Sequence, residues 1–217
     1  MSKAATAIIG GADGPTSVFV ASSQKRRSLK VRVRNYIYRC RRKRAEKQVV
    51  AGAHTLHELV AYAMEHYEAR EVSKADRNYI EQYKDLKKSL VFIHKPELLG
   101  EIPEVTTPDL SDEDAVREFV NKLRARDQLI SEKVALIPDD EMPMDFQIYK
   151  ITLGDGCLEM NVEYNWDVFR ISYCGNKKEM KQFGKIAREL HLYYGVSDED
   201  IERRTERYLS LLAVLSA

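Results

Sequence analysis

The 217 residues of this chain predict an α+β fold, and three features carry that reading. The last third alternates apolar and polar residues with a period of two, the pattern of half-buried strands. The middle is a series of amphipathic segments, several opened by Ser or Thr with an acid three residues on, as capped helices are. The front, residues 4–22 (AATAIIGGADGPTSVFVAS), is the most apolar and least charged stretch, interrupted by a glycine-rich centre. The expected architecture is an N-terminal hairpin or loop, a helical middle, and a C-terminal three-stranded antiparallel meander packed with two helices. A chain of this length buries a sizeable core.

At the front, Ile8 and Ile9 lead into Gly10-Gly11-Ala12-Asp13-Gly14-Pro15, and Val18, Phe19 and Val20 follow. Asp-Gly and Gly-Pro mark a tight reversal, where glycine supplies positive φ and Asp13 can accept from nearby N–H groups. Two arrangements fit. In one, two short β-branched strands flank the loop as a hairpin, with Asp13 supporting its turn. In the other, the loop opens a helix with Pro15 at its first position and backbone N–H groups facing an anion. The loop is not a phosphate-binding P-loop, because no Gly-Lys-Ser/Thr follows, and its glycines do not form GxGxxG.

Residues Gly10 to Thr16, read GGADGPT, resemble the signature of the β subunit of sodium-ion-translocating decarboxylases of the oxaloacetate decarboxylase type. The resemblance implies a sodium site with Asp13 as ion ligand and Gly10, Gly11, Gly14 and Thr16 shaping the loop. It also implies decarboxylation of carboxybiotin at a discontinuous membrane segment. It spans about the first 20 residues. That family has many spanning helices, and here no uninterrupted run reaches the ~20 apolar residues that a span requires. The expectation is therefore a related binding loop on a chain that is not an integral membrane protein.

Charge is strongly segregated. Between Lys25 and Lys47 twelve Lys or Arg face one acid, Glu46, giving +11 and leaving −10 on the rest of a chain whose net is +1. Leu29, Val33, Tyr36, Ile37 and Cys40 recur at helical spacing, although Lys30-Val-Arg-Val-Arg34 also alternates as a strand would. A basic helix with one apolar side suits a nucleic-acid backbone, an anionic membrane surface or an acidic protein. The candidate polyanion-binding residues are Arg26, Arg27, Arg34, Arg41, Arg42, Lys43 and Arg44. The alternative is a helix docked on the chain's own acidic remainder.

Thr55-Leu-His-Glu58 has capping-box spacing and opens a helix through Tyr67. Ser73-Lys-Ala-Asp76 is expected to cap the next, which Pro96 ends. Glu101 to Leu110, with Pro103 and Pro108, is a connector, so the expected domains are 1–100 and 111–217, or one continuous unit. Ser111-Asp-Glu-Asp114 caps a helix that continues, bent or straight, to Val134, and an acidic break follows at 138–143. Phe146–Leu153, Leu158–Tyr164 and Val168–Tyr173 are the three strands. A helix begins after Gly175-Asn176 and stops at Gly195, and Ser197-Asp-Glu-Asp200 caps a last helix running to Leu215.

Other chemistry is sparse. His54, His57 and His66 beside Glu58 and Glu65 suggest a metal site by composition, without HExxH spacing. Cys40 among arginines would be a lowered-pKa thiol if exposed. Trp166 and Tyr164 could make a stacking platform, and Asp139, Asp140 and Glu141 a cation site. Cys40, Cys157 and Cys174 show neither disulfide-framework nor zinc spacing. With no secretory h-region the expected compartment is the cytoplasm. No catalytic set is recognisable and no cofactor beyond the resemblance's sodium is indicated. The leading expectation is a non-catalytic interaction protein using the basic helix. Sodium or carboxylate/biotin-related binding at Gly10–Thr16, and nucleic-acid binding by residues 25–47, are the alternatives.

Overall fold

The computed structural model describes residues 5–8, 18–21, 29–108 and 112–216. Its elements are β1 (Ala5–Ile8), β2 (Val18–Ala21), α1 (Leu29–Glu46), β3 (Gly52–Ala53), α2 (Leu56–Tyr67), β4 (Arg70–Glu71) and α3 (Arg77–His94). A 3-10 turn (Pro96–Leu99) is followed by α4 (Glu113–Ala135), β5 (Phe146–Leu153), β6 (Gly156–Glu163), β7 (Val168–Cys174) and α5 (Lys177–Tyr194). The last elements are β8 (Gly195–Val196), α6 (Asp198–Arg203) and α7 (Glu206–Ser216). The fold is α+β, with the predicted C-terminal meander. β1 pairs antiparallel with β2, Ala5 opposite Ala21 and Ile8 opposite Val18. The chain divides into two compact units that interleave in sequence, residues 1–25 with 75–144 and residues 26–74 with 145–217. The connector at 101–110 falls inside the first of these.

In the unit formed by 26–74 and 145–217, β4-β5-β6-β7 make one antiparallel sheet. Alternation puts Tyr149, Ile151, Leu158, Met160 and Val162 on one face, under Leu56, Leu59, Val60 and Ala63 of α2 and Phe183, Ala187 and Leu190 of α5. Each of the Leu, Ile, Val, Met and Phe side chains removed from water contributes about 1.5–3 kcal/mol. β6 starts at Gly156, two residues before the alternating run, because a two-residue turn with Gly154 at φ 59° pairs Gly156 with Leu153. β4 extends the predicted three strands to four. It is only two residues long, so no periodicity announced it, and Val72 N–H donates to the Ile148 carbonyl beyond it (2.8 Å). Glu163 is fully buried at the end of β6, where its carboxylate accepts from Asp145 N–H (2.5 Å) and Trp166 N–H (2.6 Å). Burial raises its pKa and those amides oppose the rise.

A second, two-stranded sheet pairs Gly52 with Val196 and Ala53 with Gly195. The single last helix expected from Ser197 to Leu215 is two helices. Ser197 and Asp200 form a capping box as the spacing predicted, but Arg204 adopts φ 52° and the chain turns. Thr205 then donates its hydroxyl to Asp200 (2.6 Å), while its own carbonyl accepts Leu209 N–H to start α7. Burial would raise the Asp200 pKa. Hydrogen bonds from Thr205 and Ser197 and the Arg207 charge outweigh it, and the net shift is downward.

A lowered carboxylate pKa contributes stability above the unfolded value, about 4 for Asp, which is lost as pH falls through the folded value. Asp200→Asn is expected to lower stability by about 1 kcal/mol at neutral pH. The gap from wild type should narrow in acid, and thermal melts of both proteins from neutral pH to below pH 4 measure it.

In the other unit α3 packs against α4. α3 is capped by Asp76, whose carboxylate accepts Asn78 N–H (2.8 Å), rather than by Ser73. Asp112 takes the expected cap role of Ser111, and α4 runs unbroken for 23 residues. Buried Lys87 donates to the Ile137 carbonyl (2.9 Å) and to Asp139 (3.1 Å), and Lys133 reaches the carbonyls of Leu99 and Glu101 (2.7 Å each). The bonds to Ile137, Leu99 and Glu101 satisfy backbone carbonyls near helix ends, where helical hydrogen bonding stops.

Candidate interaction surface

The basic segment is helical from Leu29 to Glu46, so the strand reading of Lys30–Arg34 is set aside. Its last turn carries Lys43 and Arg44, the favourable sign for a helix C-terminus. The helix is anchored by one side. Ala45 is buried, and with Val49 it packs against Val196 of β8 and Tyr208, Leu211 and Leu212 of α7. Arg42, half-buried, pairs with Glu46 of its own helix at 3.7 Å.

The remaining faces meet solvent. Lys30, Arg32, Arg34, Arg39, Arg41, Lys43 and Arg44 are all exposed. At about 100° per residue, Leu29, Val33, Tyr36, Ile37 and Cys40 share one arc roughly 100° wide. All five are exposed, Leu29 to 74% and Tyr36 to 70%, on a side away from Ala45. Arg32, Arg39 and Lys43 form a row along one edge of this arc, and Lys30, Arg34 and Arg41 a row along the other. Leu29, Arg32, Val33, Asn35, Tyr36 and Arg39 line an open depression of about 490 Å³. Within the arc the Tyr36 hydroxyl and Cys40 thiol form a hydrogen bond, which together with their charge coupling raises the Tyr36 pKa.

Of the candidate polyanion-binding residues, Arg34, Arg41, Lys43 and Arg44 therefore lie on exposed faces, and Arg42 lies on the inward one. Arg26 and Arg27 lie outside the described residues. So do Gly10, Gly11, Asp13, Gly14 and Thr16. Choosing arginines by local density passed over Lys30, Arg32 and Arg39; their position on the helical wheel marks them out.

The histidines sit in packing roles. His54 stacks on Tyr193 with ring centres 4.1 Å apart and makes a hydrogen bond to its carbonyl (2.6 Å). His66 stacks on Tyr62 at 4.1 Å, and His57 lies against Tyr164 at 4.3 Å. Tyr193 and Tyr62 also stack, at 4.1 Å, so His54, Tyr193, Tyr62 and His66 form one column. Tyr62 donates to Glu189 (2.7 Å), and this bond with that from Tyr67 lowers the Glu189 pKa. Tyr164 turns inward onto the core and shares a hydrogen bond with Tyr149 (3.1 Å) instead of forming an open stacking platform. Asp139 is engaged by Lys87. Among the described residues no group of three or more His, Cys, Asp or Glu is placed to hold a metal ion. Among them, too, no helix is long and apolar enough to cross a membrane.

No protein-family model, curated protein sequence or solved structure matches this chain.

Proposed function

We propose that this is a non-catalytic interaction protein, with α1 as its contact surface and an acidic protein segment bearing apolar side chains as its partner. The observation that carries this reading is the exposed apolar arc of Leu29, Val33, Tyr36 and Cys40 bordered on both sides by exposed bases. A phosphate backbone would use the bases and leave the arc without a role. An acidic amphipathic helix uses both, because its apolar side chains cover the arc while its carboxylates meet the two basic rows. The rest of unit 26–74 and 145–217 serves as the scaffold that presents α1.

The test is fluorescence anisotropy with a labelled Leu/Glu amphipathic peptide and, separately, with single- and double-stranded nucleic acid. Exposed ion pairs contribute about 0.2–1 kcal/mol each. Replacing Arg32, Arg34, Arg39 and Lys43 with Gln is thus expected to weaken peptide binding by roughly 10- to 100-fold, with a strong salt dependence. Replacing Leu29, Val33 and Tyr36 with Ser is expected to weaken the peptide alone. Nucleic-acid binding that survives the Ser changes, with no peptide binding at low salt, would assign the surface to nucleic acid instead.

A further inference from the structure

We propose that Cys157 and Cys174 are a dithiol site for oxidative modification, closing to a reversible cross-strand disulfide by exchange with a small-molecule disulfide. The two residues are 17 positions apart in sequence but face each other as the first pair of the β6–β7 ladder. Directly opposed residues of an antiparallel pair have Cα atoms about 4.5–5.5 Å apart, inside the 4.4–6.8 Å range that a disulfide spans. Their side chains leave the same face of the sheet. That face continues through the pairs Glu159–Ser172 and Asn161–Arg170, whereas Leu158, Met160 and Val162 point into the core. The strand ends here lie in close contact. A Cβ on Gly156 would lie 2.9 Å from the Cys174 carbonyl oxygen, and one on Gly175 would lie 3.2 Å from Gly156 Cα. Closure therefore joins positions that the backbone already holds together.

The two thiols differ in access, which orders the reaction. Cys174 is exposed and Cys157 half-buried. Burial raises the Cys157 pKa and Glu159 adds to the rise, with Lys150 opposing it. The Cys174 thiolate attacks one sulfur of the small disulfide and expels one small thiol, leaving a mixed disulfide on Cys174. The Cys157 thiolate then attacks the Cys174 sulfur, forming the protein S–S bond and expelling the second small thiol. Two protein thiols are oxidised and one small disulfide is reduced to two thiols. β7 is the edge strand of the four-stranded sheet, so the new bond ties that edge to β6. Exposed disulfides of this kind are the readily reduced ones, which suits a reversible modification.

The test incubates the full chain in glutathione buffers of graded oxidation, quenches with acid, and maps the peptides by mass spectrometry. Wild type and Cys40→Ala are expected to yield a linked Cys157–Cys174 peptide that reductant reverses. Cys157→Ala is expected to accumulate glutathione on Cys174, because no second thiol is present to resolve it. Hydrogen exchange on oxidised wild type serves as a readout independent of the variants, with β7 amides expected to gain protection. Wild type that accumulates the Cys174 adduct without closing, or that keeps all three thiols titratable in oxidising buffer, overturns the proposal.

Discussion

Gly195→Ala is expected to lower stability by about 3 kcal/mol or more, seen as a large drop in the denaturant midpoint and in Tm. Gly195 ends α5 at φ 61°, a conformation that costs about 1 kcal/mol or more for a residue with a Cβ. The larger contribution is steric, because an added Cβ would sit 1.8 Å from the Gly52 carbonyl oxygen. No side chain can move aside, since the opposing atom is backbone in the β3–β8 pair. The pair must separate, and with it the hydrogen bond from His54 N–H to the Tyr194 carbonyl (3.0 Å). Gly52→Ala is the control. A Cβ there has nothing within 4 Å, so stability should change by less than about 0.5 kcal/mol. Equal effects from the two substitutions would show that the strand pair does not form in solution.

Arg207→Met is expected to cost about 2–4 kcal/mol, read in the same unfolding experiment. The guanidinium donates to the carbonyls of Gly195 (2.9 Å), His54 (2.8 Å) and Tyr194 (2.5 Å). It also lies 3.5 Å from the centre of the Tyr194 ring and within 3.9 Å of Asp200. Met keeps the apolar stem but leaves three carbonyls without that donor and Asp200 without its cation. Arg207→Lys restores the charge and not the planar fork, so it should recover only part of the loss. Full recovery by Lys would mean that charge alone matters at this position.

The two substitutions address the part of the fold that the sequence showed least. Thr55 with Glu58 and Ser197 with Asp200 announced helix starts because capping is local, with both partners within three residues. The meander was readable because alternation over seven or eight residues repeats the same instruction. β3, β4 and β8 are two residues each, too short for a period to register, and they exist because distant backbone meets them. Thr205 went unseen for a related reason. The helical pattern continues across it, and only its bond back to Asp200 reveals the break. Arg207 carries no local signal of its role, since its partners lie as far away as residue 54.

The candidate surface was legible to a similar depth. The density of basic residues marked the segment and the apolar spacing gave a stripe along a helix, but not the direction in which that stripe faces. Which side of α1 faces inward depends on α7, and nothing local to residues 29–46 states that. The pairing of Cys157 with Cys174 follows only from strand register, which the four-residue loop at 164–167 sets.

The packing of α1 against α7 also bears on the order in which this protein assembles. The basic helix leaves the ribosome before the helix that packs on its Ala45, residues 206–216. Contacts so far apart in sequence are slow to form, because a long loop must close before they stabilise anything. A chain still in synthesis thus carries α1 with both its apolar sides bare, bordered by its full cationic charge. Only when α7 arrives does one side become interior, while Leu29, Val33, Tyr36 and Ile37 on the other stay exposed.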